Sequence, residues 1–156
     1  MARYVTTVRT QLTPEETFHY MADLRNFAEW DPGVKKVVQI VGVGGSADSE
    51  YDVSVSGKTL RYRTKLYNPT TELLVVARSS MFTSTDRVTI VPEAIGDGKG
   101  NGKGNGKGTL VTYDATLQLH GVLRLGDPLL RLAFTRIGDR AAAGLRRVLD
   151  GVDVPS

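Results

Sequence analysis

Asp86 is the residue of this chain whose type and setting point most directly to chemistry. Phe82, Ser84, Val88 and Ile90 share its side of an alternating segment and form the more apolar set. A carboxylate among them needs a partner or a raised pKa, and either condition often marks a site. Arg78, on the preceding segment near the connecting turn, is the candidate partner if it points the same way. An ordinary cross-strand ion pair at the sheet end is the competing reading. Tyr62 and Tyr113 fall on the apolar sides of their own segments. Phenols so placed either orient a ligand or assist an enolisation, and core tyrosines satisfied by backbone are the alternative. Asp86, Arg78 and Tyr113 are thus the catalytic candidates.

Other chemistries have little to build on. The chain has no cysteine, which removes disulfides, thiolate catalysis and cysteine-ligated metals, and only two histidines, His19 and His120. His19 falls off the apolar stripe of its helix and reads as a surface residue. His120 lies at a strand-to-loop junction beside Gly121, within reach of a cavity mouth if one exists. With no carboxylate motif around them, no metal site and no cofactor are expected.

The net charge is +3, with 20 Lys and Arg against 17 Asp and Glu. Three of those lysines, Lys99, Lys103 and Lys107, lie with Asp97 in the glycine repeat GDGKGNGKGNGKG over residues 96–108. The remainder is nearly neutral, so a nucleic-acid partner loses its main support. The repeat has no side chain able to build a core and reads as a flexible hairpin loop. A phosphate loop would need a helix after its last glycine, and here an alternating strand follows. The polar, alternating start MARYVTTVRT lacks the apolar core of a signal peptide, and no apolar run approaches membrane-spanning length. A cytoplasmic protein without membrane insertion is the expectation, as a monomer or homodimer.

The elements that must position these residues follow from periodicity. Residues 2–12 alternate as a strand, with Tyr4, Thr6, Val8, Thr10 and Leu12 opposite Arg3 and Arg9. In Thr13–Pro32, TPEETFHYMADLRNFAEWDP, Thr13 caps a helix, Pro14 fits its first turn and Glu16 completes a capping box. Helices at 14–22 and 24–29 are expected, broken near Asp23, with Trp30 closing the pair before Pro32. Strands follow at 34–42, 49–56, 59–67, 71–79 and 81–91, joined by short Gly, Ser, Asn and Pro turns as an antiparallel meander. In the 59–67 strand Leu60, Tyr62, Thr64 and Leu66 are expected to face the core, opposite Arg61, Arg63, Lys65 and Tyr67.

The last strand, 110–119, sets Val111, Tyr113, Ala115, Leu117 and Leu119 on one side. Asp127-Pro128 then opens a long helix to Leu149, whose stripe is Leu130, Ala133, Phe134, Ile137, Ala141, Gly144, Leu145 and Val148. Its arginines are interspersed with Asp139 and Asp150 and read as solvated surface. A long amphipathic helix after a large antiparallel sheet buries its stripe on a sheet face, giving a two-layer α+β domain. The small residues Ala133, Ala141 and Gly144 either let helix and sheet approach or leave volume unfilled.

In this order of elements the chain resembles the START and birch-pollen-allergen superfamily, in its polyketide cyclase/dehydrase-like branch (the SRPBCC proteins). The residues that carry the likeness are Pro14-Glu15-Glu16 with Phe18, Asp23 with Trp30 and Pro32, Gly108-Thr109, and Tyr113-Asp114-Ala115 with Gly121 before the final helix. The GKGN repeat departs from the pattern.

The resemblance implies a helix-grip fold over residues 1–156, a curved seven-stranded antiparallel sheet wrapped around the C-terminal helix. It also implies an internal cavity for a small hydrophobic or amphipathic molecule. Tyr62, Leu66, Phe82, Tyr113, Leu117, Leu130, Phe134 and Ile137 are then expected to line that cavity, with Thr64 and Asp86 orienting the ligand and Phe27 and Trp30 controlling access at most, Trp30 reading rather as a seal of the helix pair against the sheet. A cyclase or dehydratase working through Asp86, Arg78 or Tyr113 is the second reading, and a protein-interaction module the third.

Overall fold

The computed structural model describes residues 1–55, 57–94, 107–121 and 127–153, without the side chains of 94, 107, 127, 130 and 150–153. Most of the glycine repeat therefore lies outside the described residues. Strand β1 (Ala2–Thr10) leads to helix α1 (Pro14–Ala22), a 3-10 turn at Leu24–Asn26 and helix α2 (Phe27–Trp30). Five strands follow: β2 (Val34–Val41), β3 (Glu50–Val55), β4 (Lys58–Asn68), β5 (Glu72–Arg78) and β6 (Phe82–Ala94). Strand β7 (Lys107–Leu119) and helix α3 (Asp127–Asp153) end the described chain.

All seven strands join one antiparallel sheet in the order β1-β7-β6-β5-β4-β3-β2. The meander runs from β2 to β7, and β1 closes on β7 along its whole length. This is the expected α+β helix-grip architecture. The β6–β7 ladder continues to Ala94 opposite Lys107, so Lys107 and Gly108 belong to a strand rather than to the loop expected at 96–108.

The local causes are largely those of the sequence. Thr13 and Glu16 form the reciprocal capping box, with the Thr13 hydroxyl taking the Glu16 amide at 3.1 Å and the Glu16 carboxylate taking the Thr13 amide at 2.9 Å. Phe18, Met21 and Ala22 turn that helix into the core. Asp23 accepts from the Arg25 amide and from its guanidinium, which caps the 3-10 turn and neutralises the carboxylate. Asp23 is therefore a structural residue.

Two departures decide what reaches the interior. The β4–β5 register shifts between Thr64 and Leu66. A bulge there adds one residue and reverses the alternation beyond it. Tyr67, not Leu66, then packs on the core, its ring edge-on to Phe18 with the ring centres 5.2 Å apart and its hydroxyl on the Gly45 carbonyl. Leu66 pairs with Leu74 on the opposite side.

The second departure is in α3. Its C-terminal half packs closely, with Ala141, Ala142, Leu145 and Leu149 buried. A Cβ at Gly144 would strike the Trp30 carbonyl, and one at Gly138 would enter the Tyr4 ring. Glycine at these two places lets the helix lie on α2 and β1. The N-terminal half stands off the sheet: Ala133 is exposed, Ile137 is half-exposed and Phe134 half-buried. The single apolar stripe thus splits into a packed half and a half that spans open space.

Candidate functional site

That open space is a cavity of about 380 Å3 between the inner face of the sheet and the N-terminal half of α3. Leu60 and Tyr62 come from β4, Phe82, Ser84 and Asp86 from β6, and Tyr113, Ala115 and Leu117 from β7. Phe134, Ile137, Gly138, Arg140 and Ala141 close it from α3. Tyr4, Phe27, Asp31, Gly33, Val34 and Val55 complete the wall. A narrow extension of about 20 Å3, the size of one water, runs beneath α2 past Trp30, Val88 and the Asp86–Tyr113 pair.

The alternation of β6 and β7 explains the polar end. Ser84 and Asp86 point inward between Phe82 and Val88, and Asp86 lies opposite Val75 on one side and Ala115 on the other. The Tyr113 hydroxyl donates to Asp86 Oδ2 at 3.2 Å. Across β5 the Tyr62 and Ser84 hydroxyls share a 3.3 Å hydrogen bond. Asp31 arrives from the turn after α2: its Oδ1 accepts the Gly33 amide at 2.9 Å, which fixes the side chain, while its backbone amide caps the helix on the Phe27 carbonyl. Aromatic rings enclose these groups. Trp30 meets Tyr113 edge-on at 5.3 Å, and Phe27 meets Tyr62 edge-on at 6.2 Å.

Burial dominates the electrostatics. Asp86 is 5 % exposed, and its carboxyl is pushed up to about 7, chiefly by loss of solvation, against the opposing pull of the Tyr113 hydroxyl and with the charges of Asp31 and Asp114 adding to the rise. Burial also raises Asp31. Tyr113 lies well above its usual range, through burial first and the neighbouring Asp86 charge second, and Tyr62 is raised for the same reasons in the same order. The polar end thus holds two carboxyl groups whose ionisation is opposed by their surroundings, each hydrogen-bonded through one oxygen to the described residues.

Of the residues expected at the site, Phe27, Tyr62, Phe82, Asp86, Tyr113, Leu117, Phe134 and Ile137 lie on the cavity wall. Trp30 lines only the narrow extension, sealed between Phe27, Tyr113 and α3. Thr64 is buried with its hydroxyl unpartnered among the described residues, but it is on neither wall. Leu66 is carried away by the bulge, and the Leu130 side chain is outside the described residues.

Arg78 does not reach Asp86. It is exposed opposite Thr83, on the outer face that also carries Arg61, Arg63 and Lys65. Strand parity accounts for this, since residues 78 and 75 point to opposite faces and Val75 is the neighbour of Asp86. His120 is held on that outer side by Thr83 at 2.9 Å, and His19 is exposed.

Asp31, Ser84, Arg140 and Tyr4 are wall residues that the sequence did not single out. Ser84 and Tyr4 lie on strand faces read as inward, and a signal existed for them. Asp31 sits inside the Trp-Asp-Pro turn, where turn-forming alone explains an aspartate.

The described residues include no helix long and apolar enough to cross a membrane. No curated protein matches the chain in sequence. Among solved structures it is similar to a START superfamily protein from Mycobacterium smegmatis, at a TM-score of 0.68 and 16 % identity, covering 98 % of this chain and 100 % of that one. It is similar also to XoxI from Bacillus cereus, at 0.62 and 15 % over 96 % of both chains. A hypothetical protein from Helicobacter pylori matches at 0.65 and 7 % over 95 % of this chain and 86 % of that one. At such identities the likeness is one of fold, with the same sheet gripping a C-terminal helix. The model of the family described as polyketide cyclase / dehydrase and lipid transport matches residues 1–150, which takes in every wall of the cavity. To that family this chain belongs.

Proposed function

We propose that this domain binds a small amphipathic molecule in the cavity between the sheet and α3, its apolar body against Leu60, Phe82, Leu117, Phe134 and Ile137. Its polar group then meets Asp86, Tyr113, Tyr62 and Ser84. The observation that carries this reading is the division of one 380 Å3 space into apolar walls and a buried polar end. That volume falls within the roughly 300–1,000 Å3 of small-molecule sites, and convergent polar groups in an apolar pocket are what orient a ligand. Trp30 and Phe27 act as packing for the polar end rather than as an entrance.

A second reading rests on Asp86 alone. A carboxyl poised at about 7 and facing a cavity suits proton transfer near neutrality, as a cyclase or dehydratase requires. Tyr113 would then hold the carboxyl in place, and Arg78 has no part.

Native mass spectrometry of the protein purified from its own host tests the binding reading. A co-purifying small molecule, released on denaturation, is the expected result. Protein that repeatedly comes empty and takes up no alkyl probe would contradict it. Should a ligand be found, loss of turnover with binding retained in Asp86→Asn would favour the enzymatic reading.

A further inference from the structure

We infer that the polar end of this cavity selects a ligand carrying a protonated amine on an apolar body, with the ammonium held between Asp31 and Asp86. This rests on the binding reading above and names the chemical class of its ligand.

Asp31 and Asp86 line the same cavity, one from the turn after α2 and the other from β6, near enough for the Asp31 charge to act on Asp86. The other groups near them are the hydroxyls of Tyr62, Tyr113 and Ser84. Asp114 adds negative charge from the outer face of β7, where Arg3 pairs with it at 2.8 Å. Asp23, on the narrow extension, is already matched by Arg25 at 2.6 Å. Arg140 is the one described cationic wall residue, on the exposed side of α3.

Two carboxyl groups in a low-dielectric site are stable either protonated or with a cation between them. Each engages the described residues through one oxygen, Asp31 with the Gly33 amide and Asp86 with the Tyr113 hydroxyl, so each keeps acceptor capacity for a ligand. An ammonium offers three donors and one positive charge, and so answers both needs at once. A carboxylate head would meet like charge at this end. An alcohol brings no positive charge, so the pair beside it must take up protons, which a pH above 7 opposes.

The surrounding rings favour the same choice. Phe27, Tyr62 and Tyr113 border the cavity around the carboxyl groups, and aromatic faces attract a desolvated cation. Arg140 at the helix side opposes an ammonium there, which orients the head inward and the alkyl body toward α3.

The test compares octylamine, octan-1-ol and octanoate, each below its aggregation concentration, by calorimetry at pH 8 with the intact protein. Emission from Trp30, the chain's only indole, gives a second readout beside the polar end. Octylamine is expected to bind at least about tenfold more tightly than the other two. Asp86→Asn and, independently, Asp31→Asn are expected to weaken octylamine more than octanol, so that the preference falls toward unity; near-isosteric amides keep the fold, and circular dichroism verifies it. Octanol or octanoate binding as tightly as the amine would overturn the inference and leave the binding reading standing. An amine preference unchanged in both variants would overturn it as well. Binding of none of the three would overturn the inference together with the binding reading.

Discussion

The Tyr113 hydroxyl donates to Asp86 Oδ2 at 3.2 Å, and this bond links two neighbouring strands of the cavity's sheet wall: β7 supplies the phenol, β6 the carboxyl, and the rings of Trp30 and Phe27 pack beside them. Burial is the larger influence on Asp86, and it acts against the charged form. Burial lifts the carboxyl to about 7, and the Tyr113 bond opposes that rise.

The first prediction is a pH dependence of stability. The Asp86 carboxyl moves from its ordinary 3.8 to about 7 on folding. Between those values the folded chain holds a proton that the unfolded chain has released, so this group's contribution falls as pH rises through the window and is constant on either side. The loss is on the order of 4 kcal/mol. Urea unfolding of Asp86→Asn should show that slope removed, with the variant gaining on the native protein as pH rises toward about 7 and the difference constant above it. Parallel profiles for the two proteins would contradict this.

A second prediction concerns the seat of α3. At Gly144 an added methyl meets the Trp30 carbonyl, a backbone atom that cannot swing aside. Gly144→Ala should cost roughly 1–3 kcal/mol, the usual range for overpacking. Ala143→Ser, at the exposed neighbouring position, should stay within about 0.5 kcal/mol. Thermal unfolding of the two variants separates close packing from general helix sensitivity.

Filling the cavity should abolish binding without harming the fold. Ala115 lines the floor opposite Asp86. In Ala115→Leu the larger side chain occupies open volume, so the melting temperature should hold or rise while affinity for an alkyl probe drops at least about tenfold. Unchanged affinity, read by calorimetry, would place the ligand elsewhere.

Arg78 supplies the matching control. Its side chain lies on the outer face beside Arg61, Arg63 and Lys65. Arg78→Ala should leave probe affinity within about twofold of the native protein, as surface changes remote from a site do. A large loss would mean that the outer face takes part in binding.

Most of the scaffold was legible because its signals are local. The Thr13-Pro14-Glu16 cap, the Asp127-Pro128 opening and the alternation of β1, β6 and β7 each act within a few residues, and each element formed where those signals lay. Tyr62, Phe82, Asp86, Tyr113 and Leu117 could be set facing inward for the same reason.

What escaped the sequence depends on neighbours. The bulge in β4 exists only in its pairing with β5, and it exchanges the places of Leu66 and Tyr67. The two halves of α3 carry similar stripes, and only the glycine contacts with Trp30 and Tyr4 show which half lies down. Asp31 reads as a turn residue until the fold brings it to the wall of the cavity that Asp86 also lines.

The central claim is that a small molecule occupies the space between the sheet and α3. Isotope-filtered NOE spectroscopy of the protein with a bound octyl probe tests it most directly. Contacts are expected from the probe's chain to the methyl groups of Ala115, Leu117 and Ile137, and from its head to the rings of Tyr62 and Tyr113. Contacts confined to the outer face around Val76, or none at all, would contradict it.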